Sequence, residues 1–185
     1  DMRVISVNLN GMRAAARKGF FEWLPKQNAD FICLQETKAQ MAHLPGEIFR
    51  PEGYHSYFVD AEKKGYSGVG VYCRRKPDQV ITELGWHDAD NEGRYIQADF
   101  DDLSIVSIYL PSGSSGEHRQ AVKFDFMDRY EKILKKQLKS GRRFIICGDW
   151  NIVHKEIDIK NFKPNQKSSG CLPEEREWMD MLFNK

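Results

Sequence analysis

A β-α-β opening constrains this chain most. "MRVISVN" (Met2 to Asn8) reads as a strand, and "AAARKGFFEWLPKQ" (Ala14 to Gln27) as mostly helical, with Pro25 near its end. "ADFICLQ" reads as a second strand. A strand, a helix and a strand in that order favour a parallel pair. Phe31, Ile32, Cys33 and Leu34 form an unbroken apolar run, as a strand covered on both faces would. The 185 residues fit one compact domain with a sizeable core.

Further strands are expected in "YHSYFVD", "GVGVYCR", "QVITEL", "RYIQADFD" and "LSIVSIYLP", with "DFDDLS" as a hairpin signal. Glu117 to Leu138 reads as a long amphipathic helix carrying Val122, Phe126, Tyr130, Ile133 and Leu134 at helical spacing. Arg143 to Cys147 reads as a strand, Gly148 to Gln166 as loop-rich, and Pro173 to Phe183 as a closing helix. The class is mixed α/β, and two packed sheets with helices outside would use these parts. Cys33, Cys73, Cys147 and Cys171 are widely spaced and lack zinc spacing, so reduced structural thiols are expected. No apolar run reaches 18 residues, and no membrane is expected as a partner. No signal peptide opens the chain, and Met2, after an appended Asp1, is expected as the true start.

The strands end in a restricted set of polar groups. The first ends at Asn8 and Asn10 before Gly11, the second at Glu36, the "SIVSIY" strand at Tyr109, and "FIICGDWN" at Asp149 and Asn151. Ligands of α/β sheets bind at strand ends. If these ends converge, the site is rich in hard oxygen ligands and suits Mg²⁺ with one carboxylate, water and a substrate phosphate. The alternatives are that Glu36 pairs with Lys38 or with an N-terminus, and that Asp149 caps the following turn. With 28 Lys and Arg against 27 Asp and Glu, the chain has no overall basic field, so a polyanion must be met by a local patch.

Seven blocks in order, "NLNGMR", "LQETK", "GYSGVGVY", "YLPSG", "GDWN", "EIDIKN" and "PEEREWMD", resemble the exonuclease III family of abasic-site endonucleases, within the endonuclease/exonuclease/phosphatase superfamily. The resemblance implies a four-layer αββα sandwich of the DNase I-like kind, and a single domain over residues 1–185 with its C-terminal portion absent. It implies a Mg²⁺-dependent DNA-repair hydrolase of base excision repair, with Mn²⁺ able to substitute. Such an enzyme cuts 5′ to abasic sites and has 3′→5′ exonuclease or 3′-phosphatase activity besides. By that resemblance Glu36 is the main metal ligand, with Asn10 near the metal. Asp149 orients or deprotonates the attacking water, Asn151 stands beside it, Asn8 supports the carboxylate network and Tyr109 hydrogen-bonds the scissile phosphate. Arg13, Lys38, Tyr66 and Asn165 match backbone-contacting positions on double-stranded DNA, and Arg17 and Lys18 add positive charge near the first. The implied setting is the bacterial cytoplasm, at the nucleoid, with no protein partner evident.

The chain also departs from the family pattern. Ser112 stands where many relatives carry Asn or Gln, and "KSSG" (Lys167 to Gly170) differs from the commoner Asn- or Lys-rich loop. Nothing after Glu156 supplies the family's terminal Asp-His pair; His154 is the last histidine and does not match it. A second reading is a non-catalytic relative, an RNA-associated regulator like the catabolite repression control protein, which shares the "PSG" block. Intact Glu36, Asp149 and Asn151 favour the nuclease, since a regulator has no need of them.

Overall fold

The computed structural model describes residues 2–114 and 116–150. The expectations placed on 151–185, including Asn151, Asn165, Cys171 and the closing helix, lie outside them. Contacts divide the described residues into two compact units: one runs through Tyr109 and takes in Gln137–Gly148, and the other holds Leu110–Lys136 with Asp149 and Trp150.

In the first unit, one four-stranded sheet contains β1 (Val4–Asn8), β2 (Phe31–Gln35), β3 (His55–Val59) and β4 (Val69–Cys73), in the order β1-β2-β4-β3. β1 and β2 run parallel in register from Val4 against Phe31 to Asn8 against Gln35, as the opening implied. β2 and β4 sit inside the sheet and are buried at all five positions, which is why their sequences are apolar without alternation. The stretch between β1 and β2 is more broken than its apolar pattern suggested. It forms α1 (Met12–Arg17), α2 (Phe20–Trp23) and a 3₁₀ turn at Leu24–Gln27. Gly19, at φ 88°, takes a left-handed conformation that splits the first two. Met12, Phe21 and Leu24 from this stretch pack with Ile32 and Leu34 over one face of the sheet.

The second sheet has the order β5-β6-β7-β8, built from β5 (Gln79–Ile81), β6 (Tyr95–Phe100), β7 (Leu103–Tyr109) and β8 (Arg143–Asp149). β5 is shorter than "QVITEL" suggested, because pairing with β6 covers only Gln79 to Ile81. A four-residue helix, α3 (His87–Asp90), precedes β6 and was not foreseen. The β6–β7 hairpin turns at Asp101, φ 45°, as its sequence implied. Phe31, Cys33, Val69 and Val71 of the first sheet meet Ile96, Ala98, Phe100 and Ile105 of the second in a common core. Each such fully buried Ile or Val contributes roughly 1.5–3 kcal/mol. Cys33, Cys73 and Cys147 are free thiols. A hydrogen bond with Cys147 and burial push the Cys33 thiol well up, and burial pushes Cys73 to about 12. These positions keep both thiols protonated and inert.

The other face of β6 and β7 is a polar ladder. Tyr95 donates to Gln97 Oε1 at 2.5 Å, and Gln97 donates to Asp99 Oδ1 at 2.8 Å. Ser104 donates to the same oxygen at 2.5 Å, and Gln79 donates to Asp99 Oδ2 at 2.9 Å. Burial pushes the Asp99 carboxyl up, but these donors and the Arg142 guanidinium outweigh it and hold its pKa below the usual value. A depressed folded pKa gives stability that is present above the unfolded value of about 3.9 and is lost as pH falls through the folded value. Asp99→Asn is therefore expected to cost about 1.5–3 kcal/mol at pH 7. Thermal melts of both proteins should converge below about pH 4. A gap that stays constant down to pH 2 would mean that the charge on Asp99 contributes nothing.

In the second unit, Leu110–Lys136 holds most of α4 (Glu117–Lys139), a 23-residue helix close to the expected span. Phe126, Met127 and Tyr130 are its buried apolar residues there, and the Tyr130 ring lies 6.1 Å from that of Trp150. Among the described residues, no helix is long and apolar enough to cross a membrane.

Candidate active site

The parallel pairing of β1 and β2 brings their loops out side by side. Beyond the last paired residues the backbones stay joined: Leu9 N–H donates to Gln35 O, Gly11 N–H to Glu36 O and Met12 N–H to Thr37 O, at 2.8–2.9 Å. Four of the expected site residues meet here. Asn8 Nδ2 donates to Glu36 Oε1 at 2.8 Å, and Asn8 Oδ1 accepts from the Asn10 backbone N–H at 2.9 Å. Lys38 Nζ donates to Asn10 Oδ1 at 2.7 Å and stands 3.5 Å from Glu36 Oε2. The result is a closed ring of one carboxylate, two amides and one ammonium. The Glu36–Lys38 pairing weighed as an alternative is thus present, but Lys38 lies closer to Asn10 than to Glu36. The Glu36 side chain remains 19% exposed, so the carboxylate can still be reached from solvent.

The backbone holding this ring is strained. Asn10, Glu36, Lys38 and Ser67 all have φ between 47° and 53°, a left-handed conformation that costs roughly 1–3 kcal/mol at a residue other than glycine. The loop that leads into β4 holds it in place: Thr37 N–H donates to Gly68 O at 3.2 Å and Lys38 N–H to Ser67 O at 2.8 Å. Gly68, φ 89°, must be glycine, because a Cβ there would collide with Thr37 Oγ1.

Beside the ring lies a cleft of about 270 Å³ lined by Arg13, Lys38, Gln40, His43, Lys64 and Gly65. It supplies the local basic patch that a chain of net charge +1 needs in order to meet a polyanion. Arg13 and Lys38 were expected to contact DNA. His43 and Lys64 were not singled out: the fold brings them to the cleft from a 3₁₀ turn at Met41–His43 and from a separate loop, and nothing in their spacing marks them.

Tyr66 and Tyr109 are brought together through Arg94, which sequence reading also missed. Arg94 Nη2 donates to the Tyr66 hydroxyl at 2.9 Å, and Nη1 donates to the Tyr109 carbonyl at 3.0 Å. Tyr109 closes β7 and is 9% exposed. Asp149 closes β8, as the sequence indicated, and belongs to the second unit, where its carbonyl accepts from Leu110 N–H at 2.9 Å. Asn151 and Asn165 lie outside the described residues.

Among the described residues, no three His, Cys, Asp or Glu side chains form a group that could hold a metal. The donors present are one carboxylate, Glu36, and the Asn10 amide oxygen, both already facing the Lys38 cation. That oxygen-only set fits Mg²⁺, which keeps most of its water and uses few protein carboxylates.

Residues 5–183 match the model of the endonuclease/exonuclease/phosphatase family. The chain is 40% identical over 181 residues to an exodeoxyribonuclease of Bacillus subtilis strain 168, covering 95% of this chain and 69% of that protein. It is 37% identical over 188 residues to the DNA repair nuclease APEX1 of Danio rerio, covering 99% of this chain and 59% of that protein. The chain thus spans about three fifths to two thirds of the length of these relatives. An AP endonuclease structure from Archaeoglobus fulgidus superposes with a TM-score of 0.85 at 22% identity, covering 100% of this chain and 70% of that one. At that identity the likeness bears on fold, and it bears out the DNase I-like mixed α/β class.

Proposed function

This chain belongs to the endonuclease/exonuclease/phosphatase family, and we propose that its protein is a Mg²⁺-dependent DNA-repair phosphodiesterase that cuts the backbone 5′ to abasic sites. The observation that carries this reading is the Asn8–Glu36–Lys38–Asn10 ring beside a cationic cleft. The nuclease names of the relatives support it, and nothing in those names favours the RNA-associated regulator.

Glu36, with Asn10 beside it, would hold the cation, for which Mn²⁺ can substitute. Bound there, the cation supplies charge neutralisation at the phosphoryl oxygens and the leaving 3′ oxygen. Asn8 keeps the Glu36 carboxylate oriented through its 2.8 Å hydrogen bond. Lys38 balances the negative charge of Glu36 and touches Asn10 at the same time. Asp149 holds the attacking water and takes its proton, with Asn151 next to it. Tyr109 donates its hydroxyl to a phosphoryl oxygen. Arg13, Lys38, Tyr66 and Asn165 hold backbone phosphates and so set register without reading bases. The same chemistry at a blocked 3′ end gives 3′-phosphatase or 3′→5′ exonuclease activity. We place all of this in a single catalytic domain that takes in residues 1–185 and works on DNA in a bacterial cytoplasm.

Incision of an abasic-site duplex by the full-length protein tests the reading. Cutting in Mg²⁺ that EDTA abolishes and added Mg²⁺ restores is the expected result. No cutting, or cutting indifferent to EDTA, would contradict it. The cleft carries its own prediction. Lys64→Ala should weaken duplex binding about equally across sequences and lower the slope of log affinity against log salt by about 1, as loss of one phosphate contact does. An unchanged slope in a binding titration would remove Lys64 from the DNA-contacting set.

A further inference from the structure

Arg94 has a place in the fold that its position at the start of a strand does not explain. It is 2% exposed, and arginine is almost never buried so deeply without partners. Its guanidinium lies over two aromatic rings, with its central carbon 5.0 Å from the Tyr109 ring centroid and 5.7 Å from that of Tyr66. Two of its nitrogens donate, Nη1 to the Tyr109 carbonyl at 3.0 Å and Nη2 to the Tyr66 hydroxyl at 2.9 Å, while Nε makes no hydrogen bond among the described residues but lies 3.5 Å from the Glu92 carboxylate. The Arg94 carbonyl also accepts from Tyr109 N–H at 2.9 Å, so main chain and side chain grip the same residue.

The surroundings fix Arg94 in turn. Gly93, φ 59°, leaves no room for a side chain: a Cβ there would lie 2.6 Å from the Val59 carbonyl oxygen. The Gly93 carbonyl accepts from Ser67 Oγ at 3.5 Å, and the Ser67 carbonyl accepts from Lys38 N–H at 2.8 Å. A continuous path of hydrogen bonds and adjacent residues therefore runs from Lys38 through Ser67 and Gly93 to Arg94, and on to Tyr66 and Tyr109.

We propose that Arg94 is a positioning residue of the hydrolase, clamping the Tyr66 hydroxyl and the Tyr109 ring in the orientations with which they meet the DNA phosphates. The inference rests on the proposed function and goes beyond it by assigning a residue outside the reacting set. A buried charge is poor value for stability alone, since a packed apolar residue serves as well. What the guanidinium adds is direction. Donation from Arg94 to the Tyr66 oxygen polarises that hydroxyl and strengthens it as a donor. Two rings held against one desolvated cation lose freedom that each would otherwise have to lose on meeting substrate. Lysine at this position keeps the charge but cannot make both directed hydrogen bonds from one plane.

The test is a double-mutant cycle in the full-length protein, with kcat and KM measured on an abasic-site duplex and folding followed by thermal melts. Arg94→Lys is expected to lower kcat/KM about 10²-fold, the cost of a misplaced positioning group. The same change made in a Tyr66→Phe, Tyr109→Phe background should cost less than about tenfold, because the hydroxyls it positions are gone. Equal costs in the two backgrounds, or an Arg94→Lys protein with wild-type kcat and KM, would overturn the inference. Should Arg94→Lys fail to fold, Glu92→Gln, which keeps the guanidinium and removes its carboxylate partner, takes its place in the cycle under the same criteria. A wild-type protein that cuts nothing would overturn the proposed function and this inference with it. An active wild type with additive variants overturns this inference alone.

Discussion

Asp149→Asn in the full-length protein is expected to slow incision of an abasic-site duplex by about 10²–10⁴-fold, the usual cost of losing a general base. Duplex affinity should change little. Asp149 is the last residue of β8, so a rigid strand sets its position, and its backbone carbonyl is held by Leu110 N–H at 2.9 Å. Asn has the same shape and keeps those backbone bonds, but it cannot take a proton from water. Single-turnover rates, with affinity measured separately in EDTA, distinguish the outcomes. A fall in affinity matching the fall in rate would show that Asp149 acts in binding or folding instead.

Glu36→Gln is expected to raise the Mg²⁺ needed for half-maximal incision by about 10–100-fold, a range that loss of even an outer-shell partner can reach. Gln fills the same volume and can still accept from Asn8 Nδ2, so the ring should keep its shape and the melting temperature should hardly move. What it loses is the one carboxylate in the ring, and with it the charge facing Lys38 at 3.5 Å. A Mg²⁺ titration with the wild-type midpoint would show that Glu36 is not the metal ligand.

The parallel β1–β2 pair was legible because β2 is buried at every position, which leaves an apolar run that no other environment explains as simply. From that pair, Asn8, Asn10 and Glu36 could be placed at strand ends, Lys38 came from the family resemblance, and the structure brings all four together. The left-handed backbone of Glu36 and Lys38 was not legible, because Glu and Lys carry no preference for it; hydrogen bonds from Gly11, Met12 and Lys38 to neighbouring loops hold it. The break in the first helical stretch had a visible sign in Gly19, but the apolar residues on both sides hid it. Arg94, His43 and Lys64 were missed for a different reason. Each sits in a segment whose local sequence is ordinary, and each meets residues distant in the chain: Tyr66 and Tyr109 for the first, Arg13 for the others.

Hydrolysis 5′ to the abasic site transfers the oxygen of water to the 5′-phosphate of the downstream fragment and leaves a 3′-hydroxyl on the other. Incision by the full-length protein in ¹⁸O-water, with both fragments weighed by mass spectrometry, tests this most directly. One ¹⁸O on the 5′-phosphate and a 3′ end that a polymerase can extend are expected. A downstream fragment without ¹⁸O, or an unsaturated sugar at the 3′ end from elimination, would contradict a phosphodiesterase built on Glu36 and Asp149.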